Sequence, residues 1–84
     1  MNQCFRLRVM TPAGVQLDVE TPSAVLPGLD GSLGIMAGHA PIIAALCAGV
    51  VRYRDNSDQW REREVAGGTA GFTGGELLIL TEGL

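Results

Sequence analysis

Eighty-four residues make one small domain with a marginal core, supported by two-sheet packing or by a partner, and leave no room for a separate catalytic domain. The composition is 46% hydrophobic and 5% aromatic, which excludes a disordered chain and requires a core of Val, Leu, Ile and Ala. The net charge is −3 and the basic residues are all arginines, Arg6, Arg8, Arg52, Arg54, Arg61 and Arg63, set among acids and apolar residues. Such a chain lacks the concentrated basic field that nucleic-acid binding needs.

The first element is a strand. Phe5, Leu7 and Val9 alternate with Arg6 and Arg8, the period of two of a strand with one buried face and one wet face. Thr11-Pro12-Ala13-Gly14 supplies turn chemistry. Val15, Leu17 and Val19 then alternate with Gln16, Asp18 and Glu20, which predicts a returning strand and a hairpin. Val25 and Leu26 begin a third apolar segment, Ile42 to Cys47 forms a fourth, and Gly49 to Arg54 alternates again. Asp55-Asn56-Ser57-Asp58 is a turn cluster, after which Trp60 to Ala66 returns. Gly67-Gly68 bends the chain, and Gly74-Gly75 joins Thr69–Phe72 to Glu76–Thr81 as a tight hairpin. Short strands separated by turns, with no helical period, predict an all-β sandwich or barrel.

In Trp60-Arg61-Glu62-Arg63-Glu64 the arginines share one face of the strand and the glutamates the other, which predicts an exposed or edge strand that resists sheet-to-sheet aggregation. A charged patch for a partner is the functional alternative. Between Pro27 and Pro41 lie Gly28, Gly31, Gly34 and Gly38, with single apolar residues among them. This order predicts a shaped loop with a few anchors in the core, unlike the polar repeats of a flexible linker.

Pro27-Gly28, Gly31-Ser32-Leu33-Gly34-Ile35 and Gly38-His39-Ala40-Pro41 resemble the amino-terminal β-sandwich of the epsilon subunit of F-type ATP synthases. Phe5 to Pro12 is similar to that family's opening strand, Ala48 to Tyr53 to its middle hairpin, and Val65 to Gly68 with Leu77 to Leu80 to its last strands, so the resemblance covers nearly the whole chain. It implies an all-β, two-sheet β-sandwich, or flattened barrel, of about eight to ten short strands. It also implies a single domain over residues 1–84, without the helical hairpin that follows the sandwich in many members.

The function implied is that of a noncatalytic central-stalk subunit in the rotor. It would link gamma to the membrane c-ring and couple ion translocation to ATP synthesis or hydrolysis. The resemblance places Thr11, His39 and Ile43 toward gamma, and Gly28, Leu29, Asp30, Gly31, Ser32 and Met36 in a loop facing the c-ring. Two departures stand out: family members often carry an acid where this chain has Ser32, and a proline where it has Ala37. With no hairpin, neither nucleotide binding nor hairpin-type inhibition is expected of this chain.

The residues themselves carry little catalytic signal. His39 is the single histidine and has no Ser, Cys or carboxylate partner near it in sequence, so the plain reading is a ring hydrogen-bonded to its own loop. Asp30 and Ser32 read as turn residues capping local N–H groups. By spacing, Met36, Ile42 and Ile43 belong to the core, with a partner-facing patch as the alternative. The glycines lack the Lys-Ser or Lys-Thr of a phosphate-binding loop.

Cys4 and Cys47 do not have zinc-site spacing and read as two free thiols. The amino terminus shows no signal-peptide regions, and the apolar run from Ala40 to Val51 is too short to span a bilayer. The location expected is peripheral, at the cytoplasmic face of the inner (plasma) membrane, with no cofactor and no metal. Two alternatives remain in other classes. One is a small metal- or ligand-binding β-barrel of cupin type, which needs several histidines and a carboxylate; the other is a β-sandwich interaction module without the rotary role.

Overall fold

The computed structural model describes residues 3–82. It contains seven strands, β1 (Phe5–Thr11), β2 (Gly14–Thr21), β3 (Ser23–Gly28), β4 (Gly31–Met36), β5 (Ile42–Arg54), β6 (Trp60–Thr73) and β7 (Glu76–Leu80), in one hydrogen-bonded sheet of order β2-β1-β7-β6-β5-β3-β4. All neighbours are antiparallel except β1 and β7.

The sheet folds back on itself along β5 and β6. Their ladder skips Cys47 and Gly67, and the inward face changes there. From Ile42 to Leu46 the even-numbered residues of β5 point inward, whereas beyond Cys47 Gly49, Val51 and Tyr53 do; β6 changes likewise, from Val65 and Gly67 to Ala70 and Phe72. One layer thus carries Phe5, Leu7, Val9, Ala70, Phe72, Leu77 and Ile79, and the other Ala24, Leu26, Ile35, Val51 and Val65, all in one buried cluster. That is a sandwich made by bending a single sheet.

The change of phase explains the strand count. A period-two pattern that loses step reads as a strand boundary, so the sequence divides β5 and β6 into two segments each. In space each is one long bent strand.

A second irregularity moves a side chain from core to surface. Val9 pairs with Leu17 but Met10 pairs with Val15, which leaves Gln16 as a one-residue bulge. Val15, expected inside with Leu17 and Val19, therefore turns outward and is 48% exposed. The bulged Gln16 carbonyl accepts a hydrogen bond from Nη2 of Arg63. Arg63 shares its face with buried Val65 and ties the open edge of the first half of β6 to β2. Residues 60–66 pair with β5 alone, as expected of an edge strand.

The layers are also joined where β2 passes into β3. Thr21 is fully buried; its hydroxyl donates to the Arg54 carbonyl (2.8 Å) and accepts from the Arg54 N–H (3.2 Å). Nearby, the β5–β6 turn is organised by Asp55. Its carboxylate accepts from the N–H groups of Ser57 (2.8 Å) and Gln59 (3.0 Å) and from Nε of Arg61 (2.7 Å).

These bonds, chiefly that of the Gln59 N–H and then that of Arg61, hold the Asp55 carboxyl below the ordinary aspartate range. A folded-state pKa below the unfolded one contributes stability above the unfolded value, about 3.9, and loses it as pH falls through the folded value. Asp55→Asn is accordingly expected to lose less stability than the wild type between pH 7 and pH 3, measured as the shift in urea midpoint.

Candidate functional site

The stretch from Pro27 to Pro41 is mostly a β-hairpin, which corrects its reading as a loop. Pro27 and Gly28 end β3, Gly31 to Met36 form β4, and only Leu29 and Asp30 make the turn. The Gly28 backbone lies so close to Gly31 that an added Cβ would sit 2.6 Å from its carbonyl oxygen. The tip is fastened to the bend, since the Leu29 N–H donates to the Ala45 carbonyl (3.0 Å). The Cys47 thiol points at the Pro27 carbonyl (3.4 Å).

Gly28, Leu29, Asp30, Gly31 and Ser32 therefore stand together at one rigid tip, where Leu29 is 65% exposed. Met36 does not belong with them. It pairs with Ser23 at the opposite end of the hairpin, five residue steps or about 16 Å away. It is exposed, against the core position its spacing suggests, because β4 is an edge strand and Met36 lies on its outer side.

His39 follows in the connection to β5. Its N–H donates to the Met36 carbonyl (3.0 Å) and its Nδ1–H to the Ala40 carbonyl (2.6 Å), while its ring meets Phe72 edge-on at 6.0 Å. A histidine held by its own loop is the plain reading of the sequence, and the structure shows it. Among the described residues no group of three or more His, Cys, Asp or Glu lies together to hold a metal ion, so the histidine set that a cupin-type site needs is not assembled there. Cys4 and Cys47 are exposed and unbridged.

The outer face of β5, β6 and β7 is where apolar residues meet solvent. Ile43, Gly71 and Leu78 form one row across the three strands, and Ala45, Thr69 and Leu80 the next. Ile43 is 82% exposed and Leu80 50%. Ile43, Thr69, Gly71, Leu78 and Leu80 bound an apolar trough of about 520 Å³. A second depression holds Thr11 and shares Thr69 and Leu80 with the first, so Thr11 and Ile43 belong to one continuous surface. His39 does not line either depression; its ring lies against Phe72, whose side chain belongs to the buried core.

The Thr11 hydroxyl oxygen is occupied within its own turn, accepting from the Ala13 N–H (3.1 Å) and from Nε2 of Gln16 (3.2 Å). Beside the trough runs an ionic ladder. Arg6 pairs with Asp18 (2.8 Å) and with Glu20 (3.6 Å), and Arg8 with Glu76 (3.0 Å). The bond to Asp18 raises the Arg6 pKa further.

Sequence reasoning missed Val15, Gly71, Leu78 and Leu80 as surface residues. The available signal was the unbroken apolar run Leu77-Leu78-Ile79-Leu80, since a strand apolar on both faces presents one of them to something other than the core. On the opposite layer, the guanidinium groups of Arg52 and Arg54 lie 5.4 and 5.2 Å from the Trp60 ring centroid. This stacking settles the charged strand on its own neighbours.

A small bent-sheet sandwich whose prominent features are an outward apolar face and a stiff hairpin tip, and whose one histidine is tied to its own loop, offers surfaces more than a reaction centre. Its residues 4–84 match the model of the ATP synthase Delta/Epsilon chain β-sandwich domain, and the chain belongs to that family. It is 41% identical over 80 residues to the chloroplastic ATP synthase epsilon chain of Pylaiella littoralis, covering 95% of this chain and 60% of the relative. It is 36% identical over 81 residues to the ATP synthase epsilon chain of Chlorobium limicola, covering 96% and 92%.

With the first of these, and with the epsilon chain of Gloeothece citriformis (42% identical) at 55%, the chain spans little more than half of the relative's length. Among solved structures, a chain of the Euglena gracilis mitochondrial ATP synthase OSCP/F1/c-ring assembly superposes with a TM-score of 0.87 at 18% identity, over 94% of this chain and 51% of that one. A chain of the Tetrahymena thermophila mitochondrial ATP synthase central stalk and c-ring gives 0.75 at 15% identity, over 95% and 64%. At these identities the superpositions show the shared fold.

Proposed function

We propose that this chain is a noncatalytic central-stalk subunit of an F-type ATP synthase rotor, joining gamma to the membrane c-ring and so coupling ion translocation to ATP synthesis or hydrolysis. The observation that carries this reading is the outward apolar face of β5, β6 and β7, with Ile43 and Leu80 open to solvent. On a domain of this size such a face is characteristic of a surface that another subunit covers. The family supports it, as do the epsilon chains whose sequences it shares.

In this reading Thr11, His39 and Ile43 lie on or beside the gamma-facing surface, and Gly28 to Ser32 form the tip that meets the polar loops of the c-ring. Met36, at the far end of its hairpin, is not part of that tip. Torque passing between ring and gamma requires a body that does not shear, which a sheet folded on itself and stitched at Thr21 supplies. The chain would then sit peripherally, at the cytoplasmic face of the membrane that holds the ring. Among the described residues no helix is long and apolar enough to cross a membrane.

The test is reconstitution with gamma and the c-ring from the same organism. The wild-type chain is expected to co-purify with gamma and to fasten it to the ring. Leu29→Asp, at the exposed tip, is expected to keep gamma and to weaken the hold on the ring by about tenfold or more. Failure of the folded chain to associate with folded gamma would remove the reading.

A further inference from the structure

A sheet that is folded over and not closed keeps free edges, and this one protects them unequally. β2 carries Asp18 and Glu20 and is interrupted by the bulge at Gln16. The free side of β6 between residues 60 and 66 carries Arg61, Glu62, Arg63 and Glu64, and Arg63 closes it against the Gln16 carbonyl. The start of β5 follows Pro41, and its Ala45 carbonyl is taken by the Leu29 N–H of the tip. Charge, bulges, proline and covering loops are the usual protections of an edge. β4 has none of them: it reads Gly31-Ser32-Leu33-Gly34-Ile35-Met36, without charge or proline, and pairs with β3 alone.

The backbone groups that β4 leaves free follow from the ladder. In an antiparallel sheet the N–H and C=O of one residue point to one neighbouring strand, and those of the next residue to the other. Pro27 has no N–H, and its carbonyl faces the Cys47 thiol on β5 (3.4 Å), so Leu26 and Gly28 are the residues that turn toward β4. They pair with Leu33 and Gly31, which leaves Ser32, Gly34 and Met36 pointing away from β3. The Met36 carbonyl agrees, since it accepts the His39 N–H (3.0 Å). Ser32 and Gly34, both exposed, thus offer two donors and two acceptors along one edge.

We propose that β4 is a self-association edge, through which two copies of this chain pair antiparallel about a twofold axis at Leu33. In that register Ser32 of each copy stands opposite Gly34 of the other. Each such pair exchanges two hydrogen bonds, and the four bonds use every group left free at Ser32 and Gly34. Inward residues stay opposite inward residues only in registers that keep the parity of the pleat. Centring the axis on Gly34 also keeps it but sets Ser32 against Met36, whose carbonyl is already engaged. With Leu33 on the axis, the two partly buried Leu33 side chains meet.

The same pairing accounts for two apolar residues that the core leaves out. It brings the tip of each copy against the Met36 end of the other, and so covers Leu29 and Met36, 65% and 63% exposed in the single chain. Asp30 of each copy falls opposite Met36 of the other, so no like charges face one another across the strands. Six residues a side make a small interface, and the dissociation constant expected is about 100 µM. The proposal does not rest on the rotor reading. Under that reading the dimer hides the tip, which makes it a form of the free chain that excludes attachment to the ring.

Sedimentation velocity of the chain from about 10 µM to about 1 mM, with backbone amide exchange over the same range, tests the pairing. Wild type is expected to pass from monomer to dimer while the Ser32 and Gly34 amides gain protection. Gly34→Lys is expected to raise the dissociation constant at least tenfold. A Cβ there meets nothing and the φ is ordinary, so the fold is kept, and the two introduced ammonium groups start from positions about 7–8 Å apart on one face. Ser32→Lys, at an exposed position of the same face, carries the test if the first variant perturbs folding. Ile43→Ser, on the other layer, is expected to leave the dimer unchanged. A wild type that stays monomeric at about 1 mM, a dimer that survives both lysine variants, or one that Ile43→Ser disperses would each overturn the proposal.

Discussion

Gly68→Ala is expected to lose a large fraction of the domain's stability and to unfold at a much lower urea concentration than the wild type. A Cβ at Gly68 would lie 2.0 Å from the Leu80 carbonyl oxygen and 3.1 Å from the Thr81 Cα, both backbone atoms. Neither can move away cheaply. Leu80 is paired with Thr69 on one side and Met10 on the other, and Thr81 is held by its N–H to the Met10 carbonyl (3.0 Å) and by its hydroxyl, which accepts from the Ala66 N–H (3.1 Å).

Gly68 also has φ +125, a region essentially reserved for glycine. Collision and backbone strain together cost about 3 kcal/mol or more, against a total of roughly 4–13 kcal/mol for a chain of this length. Urea denaturation measures the effect. Gly34→Ala is the control, because its added Cβ meets nothing and its φ is ordinary, so its stability is expected to stay within about 0.5 kcal/mol. Equal midpoints for the two variants would show that the bend does not need this close approach.

Phe72→Ala is expected to have a comparable effect for a different reason. Phe72 is 3% exposed and meets Phe5 edge-to-face, with centroids 5.4 Å apart and planes at 89°. Phe5 and Phe72 are the large rings of a core otherwise built from aliphatic residues. Removing one leaves a cavity that short Ala, Val and Leu side chains fill poorly, at about 3–5 kcal/mol, plus the edge-to-face interaction of about 1 kcal/mol.

The melting temperature is expected to fall by roughly 15–30 °C. Phe72→Leu, which keeps most of the volume, should fall much less. The His39 ring, 6.0 Å from Phe72, reports on the same change: its imidazole proton resonances lose their ring-current shift in both variants if the packing is as described. Unchanged His39 resonances in a folded Phe72→Leu would contradict that contact. Phe72 also lies beneath the trough, so a cavity there softens the surface proposed to dock gamma.

The turns were legible because each depends on a local rule. Gly74 and Gly75 both have positive φ, +59 and +79, as a two-residue hairpin requires. Asp55 closes its turn with bonds to residues at most six positions away. The alternation of Phe5, Leu7 and Val9 is equally local, and all three are buried. Pro27 to Pro41 was harder, since its glycines suit a loop and a tight hairpin alike, and only the pairing of β4 with β3 distinguishes them.

The candidate site was legible in part. The resemblance pointed to Thr11 and Ile43, and they lie on one surface. It grouped Met36 with the tip, and the strand separates them. Gly71 and Val15 gave no warning, because what makes each a surface feature is the height of its neighbours in one case and a bulge in the other.

Residue pattern alone determined the all-β class, the turns, the inward residues of β1 and the plain role of His39, since those follow from φ preferences and from a period of two within a few residues. Tertiary structure decided that β5 and β6 are each one bent strand, that Val15 and Ile43 face outward, and that Thr69, Gly71 and Thr73 line the trough. These are outcomes of register and of layer stacking between residues tens of positions apart, and a period read along the chain carries no information about which strand lies beside it.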